Sequence, residues 1–415
     1  MPVDWVANLF RMDALLASVC RFSIYGFLFI VYACTDGEEK GDFKVAQQEV
    51  NSYTETAQIP TIVQTYCGSC HVTPNSKDLP VGIWEEYVLP RMGHRLGIFP
   101  TPADREAVFA LDPGAREEVS AAGIYPTEPL LSENEWEEIK AFYLQNGRSD
   151  QSISAPDLAS PIDFFTPRFP DVFLSPPSAT LAQFLPDGGY VIGDANKKSL
   201  FRFGSNHQLA GTIQIGEGPT AYRTAKDGNT YVSVIGSFSP TDVPLGAIWQ
   251  FTPNGKARAI IKHLRRPTDI AHADFDGDGQ EELVIPEFGK LLGRLAVWQR
   301  KGTEWFAQVL DPQPGATRVI TTDWNEDGHT DILALMAQGD ERIVVYLNDG
   351  NGQFQGKTLL RFPPSYGSVY LDTLDYNDDG KMDLLYANGD NADYKPILKP
   401  YHGVRVYVQS DEGDL

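Results

Sequence analysis

Apolar side chains recur at helical spacing in two stretches of the first 150 residues. The earlier stretch comprises Ile59, Ile62, Val63 and Tyr66, and the later one comprises Trp136, Ile139, Phe142 and Tyr143. A period of three to four residues predicts an amphipathic helix at each place. Residues 132–135 (Ser-Glu-Asn-Glu) have the form of a capping box that opens the later helix. The first part of the chain is therefore expected to contain a small helical domain.

Beyond residue 163 the apolar residues fall into short runs separated by Gly, Asp and Asn, which predicts strands and turns. Three similar segments start at residues 274, 323 and 375, so they are 49 and 52 residues apart. Within the first period, strand signals lie at residues 268–273, 283–286, 294–299 and 305–310. Four short strands in a period of about 50 residues predict one blade of a β-propeller.

Five blades are expected, with starts near residues 171, 218, 267, 316 and 367. The first two are centred on residues 185–188 and 225–228, which carry turn residues without the acidic pattern of the other three. The fifth ends with a third strand at residues 402–408. Because a propeller closes by pairing its last blade with its first, we expect an incomplete ring that associates through open blades. The native chain would then have about two further blades.

The composition limits the classes of function. The chain has 415 residues, which favours two or three domains, and its formal net charge is −22. This charge argues against binding to nucleic acid and against electrostatic attachment to anionic lipid. With four cysteines in the whole chain, a disulfide framework is not expected. The predicted fold class is multidomain, with a small all-α domain followed by an all-β propeller.

Residues 67–71 read Cys-Gly-Ser-Cys-His at the end of the first predicted helix. Two thiols at this spacing can bond to the two vinyl groups of one porphyrin, and His71 is then placed to bind the iron. A thioredoxin-like pair would need a βαβ context, and a zinc site would need a second ligand pair. Residues 51–148 thus resemble the small c-type cytochromes, which implies one covalent haem c on Cys67 and Cys70.

The second axial ligand of this haem can be sought by elimination. Between residues 41 and 150, Met92 is the only methionine, and His94 is the only histidine besides His71. A thioether raises the haem potential and suits a one-electron carrier. Pro90, shortly before Met92, also resembles the distal loop of these cytochromes. We expect Met92 to be the ligand, with His94 and an open site as the alternatives.

The three acidic segments carry carboxylates or carboxamides at positions 1, 3 and 5, glycine at position 6 and a carboxylate at position 9. Position 7 can offer its backbone carbonyl. The residues are Asp274, Asp276, Asp278, Gln280 and Glu282; Asp323, Asn325, Asp327, His329 and Asp331; and Asp375, Asn377, Asp379, Lys381 and Asp383. Several hard oxygen ligands around one point predict calcium, about three ions in the chain.

An EF-hand would have Glu at position 12 and flanking helices, whereas position 12 here is Ile285, Ala334 or Tyr386 in a predicted strand. The loops instead resemble those of the FG-GAP/VCBS repeats of integrin-type propellers, in which calcium stabilises a β-hairpin loop. The resemblance implies ions that stabilise the propeller and take no part in electron transfer.

Residues 22–33 form an apolar run with the length of a signal-peptide core, too short to span a bilayer. Residues 31–34 (Val-Tyr-Ala-Cys) resemble a bacterial lipoprotein signal, which implies lipidation of Cys34 and a periplasmic or cell-surface location. A plain secretory signal and an uncleaved anchor are the alternatives. The expected organisation is a signal at 1–33, a polar tether at 34–50, the haem domain at 51–148, a Ser/Pro-rich linker at 149–162 and propeller blades at 163–415.

Together these features predict an exported, lipid-anchored monohaem c-type cytochrome that transfers electrons, with a propeller that binds a redox partner protein or a small-molecule ligand. One alternative is a quinone-dependent dehydrogenase-like enzyme that passes electrons to its own haem. Another is a cell-surface adhesion or glycan-binding module. No catalytic residue is predicted, because the histidines after the linker form no catalytic motif, and an electron carrier is favoured over an enzyme.

Overall fold

The computed structural model of the chain describes residues 58–149, 166, 168–389, 399–410 and 415. The expected signal, Cys34, the tether and residues 150–162 of the expected linker lie outside these ranges. Among the helices in the described ranges, none is both long enough and apolar enough to cross a bilayer.

The N-terminal part of the described chain is helical. Its helices are α1 (Thr61–Cys67), α2 (Val81–Ile83), α3 (Leu89–Arg95), α4 (Pro102–Ala110), α5 (Arg116–Ala121) and α6 (Glu133–Asn146), and a π-helical turn at Trp84–Val88 joins α2 to α3. The capping box before α6 is confirmed. The Ser132 amide donates to Glu135 Oε2 at 2.7 Å, and the Glu135 amide donates to Ser132 Oγ at 3.4 Å. These bonds satisfy two amides that a helix start otherwise leaves free.

The two helices predicted from apolar periodicity share one core. Val63 of α1 is buried against Ile139 and Tyr143 of α6, and Trp84 lies in the same cluster. The rings of Trp84 and Tyr143 are 4.3 Å apart at their centroids, and the indole nitrogen of Trp84 donates to the Ser76 carbonyl at 2.8 Å. The core of the helical domain therefore combines aromatic and aliphatic side chains, and the indole nitrogen of Trp84 is paired within it.

The described residues after the helical domain form five antiparallel sheets. Their strands are β1 (Ala179–Phe184), β2 (Tyr190–Asp194), β3 (Ser199–Phe203) and β4 (Leu209–Gln214); β5 (Pro219–Thr224), β6 (Thr230–Val234), β7 (Gly246–Phe251) and β8 (Ala257–Leu264); β9 (Ala271–Ala273), β10 (Glu282–Glu287), β11 (Arg294–Lys301) and β12 (Glu304–Asp311); β13 (Ala316–Thr322), β14 (Asp331–Met336), β15 (Arg342–Asn348) and β16 (Phe354–Arg361); and β17 (Ser368–Leu374), β18 (Asp383–Asn388) and β19 (Gly403–Tyr407).

Each sheet follows the chain order, so each is one propeller blade, and the prediction of five blades is confirmed. The four strands predicted for the third blade are present, with boundaries that differ by a few residues. The first blade begins at Ala179 rather than near residue 171. Within the described residues the fifth blade has three strands, as expected.

Apolar side chains fill the space between successive blades. Residues of successive blades belong to common buried clusters: Leu181 and Val232 for blades 1 and 2, Ile248 and Leu283 for blades 2 and 3, Val297 and Val344 for blades 3 and 4, and Leu335 and Leu384 for blades 4 and 5. All of these are buried. Burial of this kind is the main stabilising contribution between blades, at about 25 cal/mol per Å² of apolar surface.

One buried carboxylate connects the innermost strands of three blades. Asp269, just before β9, is 3% exposed. It accepts hydrogen bonds from Arg223 of β5 at 2.7 Å and from Arg318 of β13 at 3.1 Å. Two backbone amides, of Ile270 and Val319, also donate to it. The positive charges of Arg223 in blade 2 and Arg318 in blade 4 are thus compensated by the negative charge of Asp269 in blade 3, which lies between them.

The helical domain contacts the propeller at blades 2 and 3. Asp112 accepts hydrogen bonds from the Thr241 hydroxyl at 2.8 Å and from the Asp242 amide at 2.6 Å. Beside these bonds, Phe109 and Val119 of α4 and α5 belong to an apolar cluster that also includes Val243, Leu291 and Leu292 of the propeller. The contact therefore combines charge-assisted hydrogen bonds with apolar burial.

A second contact lies at blade 5. The Ser365 hydroxyl donates to Asp78 Oδ2 at 2.9 Å, and the Tyr401 hydroxyl donates to the Asp78 carbonyl at 3.3 Å. The propeller residues of both contacts lie in the β6–β7, β10–β11, β16–β17 and β18–β19 connections. In antiparallel blades these connections all lie on one face, so the helical domain sits on that face of the propeller.

We expect Asp269→Asn to destabilise the propeller by about 3 kcal/mol, because it leaves two partly buried guanidinium groups without their shared negative charge. The measurement is the free energy of unfolding in urea. The control is Asp187→Asn, since the Asp187–Arg202 pair is half exposed and should contribute less than about 1 kcal/mol. Equal effects of the two variants would contradict a stabilising role for Asp269.

Candidate functional sites

The Cys-Gly-Ser-Cys-His segment begins at the last residue of α1. Helix α1 ends at Gly68, whose amide donates to the Gln64 carbonyl at 3.0 Å. A Cβ atom at Gly68 would lie 2.4 Å from that same carbonyl oxygen, so any other residue would push the turn apart. Cys67 is half-buried, Cys70 is exposed, and both thiols are free. The turn therefore places two free thiols at the edge of the helical-domain core.

His71 has a defined orientation and a defined tautomer when neutral. Its Nδ1 lies 2.9 Å from the Val72 carbonyl oxygen. A carbonyl can only accept, so Nδ1 carries the proton and Nε2 keeps its lone pair. In metal-binding histidines, the ring nitrogen that does not bind the metal usually donates to a carbonyl or carboxylate, which orients the imidazole and raises its basicity. His71 is thus prepared to bind a metal through Nε2.

Cys67 lies against the buried ring of Tyr143. Burial raises the pKa of the Cys67 thiol, and a hydrogen bond with Tyr143 partly opposes this effect. Burial and the neighbouring Cys67 in turn raise the pKa of Tyr143, whose hydroxyl donates to the Pro74 carbonyl at 3.3 Å. Both groups are therefore neutral near pH 7, and water is largely excluded from the inner sulfur.

Met92 and His94 both lie in helix α3, so the stretch that resembles a distal loop in sequence is helical. Met92 is half-buried and packs against the same apolar cluster as Cys67. The ring of His94 stacks on Phe99 at 4.7 Å, and burial lowers its pKa, with Arg91 adding to this effect. Met92 as the second axial ligand stays a prediction, and the lowered pKa favours a neutral imidazole at His94.

The acidic loop of blade 3 gathers three carboxylates. Oxygen atoms of Asp274, Asp276 and Glu282 all lie within 4.8 Å of one another. The amides of Gly277 and Gly279 donate to Asp274 at 2.8 and 3.0 Å, which holds this side chain inside the turn. The pKa of Glu282 is raised to about 7, first by burial and then by the neighbouring aspartates, while a hydrogen bond from the Phe275 amide opposes the rise. A divalent cation would relieve this repulsion.

The loops of blades 4 and 5 follow the same backbone path. The Gly328 amide donates to Asp323 and the Gly380 amide donates to Asp375, each at 2.9 Å. In each of the three loops the amide of the position-7 residue (Gln280, His329 or Lys381) donates to the aspartate at position 5. The repeat seen in the sequence is therefore a repeat of structure.

The position-9 aspartates of these two loops have a role that the sequence did not indicate. Asp331 accepts from the Trp324 amide at 3.0 Å and from the Asn348 amide at 2.8 Å. Asp383 accepts in the same way from Tyr376 and Gln409, at 2.9 Å each. Each carboxylate thus connects its own loop to the end of the third strand. The loop and the end of the third strand come together only in the folded blade, so no local pattern marks this contact. The one signal in the sequence is that an acidic residue recurs at position 9.

The acidic loops and the helical domain lie on opposite faces of the propeller. The loops are the β9–β10, β13–β14 and β17–β18 connections, which alternate with the connections that contact the helical domain. A strand of six residues, such as β10, separates the two faces by about 20 Å. The loops are therefore too distant to contribute ligands to a group bound at residues 67–71.

Residues 323–386 match the family described as FG-GAP-like repeat. The match begins at the acidic loop of blade 4 and ends in β18 of blade 5, so it includes two of the three acidic loops. Among curated proteins, none matches this chain in sequence.

Several solved propeller structures are similar to part of the chain. A gluconolactonase from Xanthomonas campestris is 12% identical with a TM-score of 0.36, and the similarity covers 51% of this chain and 69% of that one. A virginiamycin B lyase from Staphylococcus aureus is 12% identical with a TM-score of 0.38, covering 59% and 73%. A streptogramin B lyase is 9% identical with a TM-score of 0.37, covering 57% and 71%. Sequence identities and TM-scores this low carry no argument about the function of this chain. The chain contains a five-bladed β-propeller with an FG-GAP-like repeat.

Proposed function

We propose that this protein transfers single electrons through a haem c held by the helical domain, with the propeller as the scaffold on which a redox partner binds. The observation that carries the proposal is the geometry of His71. Its Nδ1 is hydrogen-bonded to the Val72 carbonyl, so the lone pair of Nε2 can bind a metal, and two free thiols precede it in the same segment. The residues of this segment fit a covalently attached haem.

In this proposal Cys67 and Cys70 would hold the porphyrin through thioether bonds, and Nε2 of His71 would bind the iron. The haem would supply a reversible one-electron couple. The Val72 carbonyl keeps the imidazole oriented. The buried Tyr143 is hydrogen-bonded to the Cys67 side chain, which is itself half-buried. Because covalent haem attachment fits an exported protein, the proposal includes export and a lipid anchor at Cys34.

The contact at blade 5 supports the role proposed for the propeller. Tyr143 donates to the Pro74 carbonyl, and the turn that follows carries Asp78, which Ser365 and Tyr401 bind. The segment from the attachment cysteines to the propeller is therefore short and held at both ends. A partner that binds at blade 5 on this face would lie close to the segment that would hold the haem.

We also propose that the acidic loops bind calcium, which stabilises the propeller. The three carboxylates of the blade 3 loop within 4.8 Å of one another support this proposal. The position of these loops on the opposite face supports a structural role for the ions and separates them from electron transfer.

The first prediction concerns haem attachment. Full-length protein produced with the c-type maturation machinery should show one haem per chain in a pyridine haemochrome spectrum. Because both thiols are needed for two thioether bonds, the double variant Cys67→Ser, Cys70→Ser should contain no covalent haem. Ser69→Ala, a variant of the residue between the cysteines, is the matched control and should keep the haem. Colourless wild-type protein would overturn the proposed function.

The second prediction concerns the other axial ligand. Met92→Ala should abolish any thioether-to-iron charge-transfer band in the oxidised protein and lower the midpoint potential, because a thioether favours the reduced iron. His94→Ala is the control and should leave both properties unchanged. If the loss follows His94→Ala instead, the ligand is His94.

The third prediction concerns calcium and pH. The pKa of Glu282 rises from 4.5 to about 7 in the fold, so its ionisation destabilises the metal-free fold as pH rises through this interval. In chelator, the Tm should therefore fall between about pH 5 and about pH 8. Calcium should raise the Tm at the higher pH, because the cation offsets the repulsion.

Glu282→Gln should reduce both the fall in Tm with pH and the rise that calcium produces. The matched control is Glu138→Gln, since Glu138 is exposed on α6 in the helical domain, on the face opposite to the acidic loops. A wild-type Tm that does not respond to calcium would contradict the calcium proposal, and a haem spectrum that changes with calcium would contradict its structural role.

A further inference from the structure

A cleft of about 350 Å³ lies at the rim of the propeller between blades 3 and 4. It is bounded by β12 of blade 3 and by β15 and β16 of blade 4. The residues that matter for its chemistry are Gln308, Asp311, Arg342, Tyr346, Phe354 and Thr358. This volume is within the range of pockets that bind small molecules, about 300–1,000 Å³.

The floor of the cleft carries charged groups whose charges are balanced. Arg342 is paired with Asp311 at 2.5 Å and with Asp340 at 2.6 Å, and Asp340 is also paired with Arg361. The Tyr346 hydroxyl donates to Asp311 at 3.3 Å. Among the residues that line the cleft, the carboxylate of Asp311 and the guanidinium of Arg342 thus cancel, and Asp340 pairs with Arg361 beside it. The floor presents fixed polar atoms without a net charge, which favours neither a cation nor an anion.

One wall of the cleft is open because residue 356 is glycine. A Cβ atom there would lie 3.1 Å from the ring of Tyr346. On the apolar side the cleft is lined by Tyr346, Phe354 and Val344. The cleft therefore has one aromatic and aliphatic side and one hydrogen-bonding side.

Two polar side chains of the lining are available to a ligand. Within the part of the chain that the structure describes, neither the amide of Gln308 nor the hydroxyl of Thr358 takes part in a side-chain hydrogen bond. Gln308 can donate and accept, and so can Thr358. Both lie on outer strands, where solvent can reach them.

We propose that this cleft binds a neutral, polyhydroxylated ring compound of about the size of one sugar residue. Hydroxyl groups match the mixed donors and acceptors of Gln308, Thr358 and the Asp311–Arg342 pair, and the ring carbons match the aromatic side. The balanced floor and the net charge of −22 both disfavour an anionic ligand. This site is independent of the haem proposed above.

Binding to full-length protein is measured by saturation-transfer NMR and titration calorimetry, with methyl α-D-glucopyranoside, methyl β-D-galactopyranoside and myo-inositol as probes. At least one probe should bind at millimolar concentration. Gly356→Val should weaken this binding at least about tenfold, because its side chain enters the cleft above Tyr346.

The matched control is Gly211→Val, since Gly211 lies on the outer strand β4 with open space where a side chain would go. It should bind the probes as the wild type does. Thr358→Val, which keeps the shape and removes the hydroxyl, should weaken binding as well, and it provides the test if Gly356→Val does not fold. Folded wild-type protein that binds none of the three probes would overturn the proposal. Binding that survives both cleft variants would overturn it too, since the probe would then occupy another place.

Discussion

Each blade is a sheet with two apolar faces, and neither face can be left in water. The residues that alternate along β14 show this directly, because Ile332 packs towards blade 3 and Leu333 towards blade 5, both fully buried. Stacking blades around an axis satisfies both faces with a single repeated unit. The repeat of about 50 residues in the sequence therefore reflects a packing requirement. On blade 1 the outer face is covered by Val172 and Leu174, which precede the first strand.

The alternation of antiparallel strands gives the propeller two chemically different faces. On one face, the connections between the first and second strands of blades 3, 4 and 5 carry the acidic loops. On the other face, the connections between second and third strands, and the connection between blades 4 and 5, carry the residues that contact the helical domain. At the second face, Asp242 is fully buried and its Oδ1 accepts the amides of Lys290, Leu291 and Leu292 at 2.8–3.0 Å. This arrangement fixes the β10–β11 connection, which supplies apolar contacts to the helical domain. Calcium binding and electron transfer, as proposed, can thus share one scaffold without sharing ligands.

Features set by neighbours in the chain could be predicted from the sequence, and features set by distant contacts could not. The capping box of Ser132 and the turn glycines depend on residues a few positions apart, and the blade repeat is visible because the same local pattern recurs about every 50 residues. By contrast, the bond between Asp112 and Thr241 joins residues separated by 129 positions, and no local pattern marks either of them. The helical conformation around Met92 was missed for a related reason, since Pro90 suggested a loop but lies within a continuous helical run, directly after the π-helical turn Trp84–Val88. The cleft at blades 3 and 4 likewise exists only when two outer strands are brought together.

The excess of acidic residues is partly an internal feature of this molecule. Asp331 and Asp383 are fully buried, and each accepts backbone amides from two segments of its blade. Asp269 compensates two arginines near the axis, and Glu341 accepts the Ser368 amide and hydroxyl at 2.9 and 2.6 Å. Connections in a propeller expose many amides that no strand can pair, and a short carboxylate satisfies two or three of them at once. A negative net charge is therefore what a chain accumulates when its loops are held mainly by carboxylates, and it follows from the fold before any partner is considered.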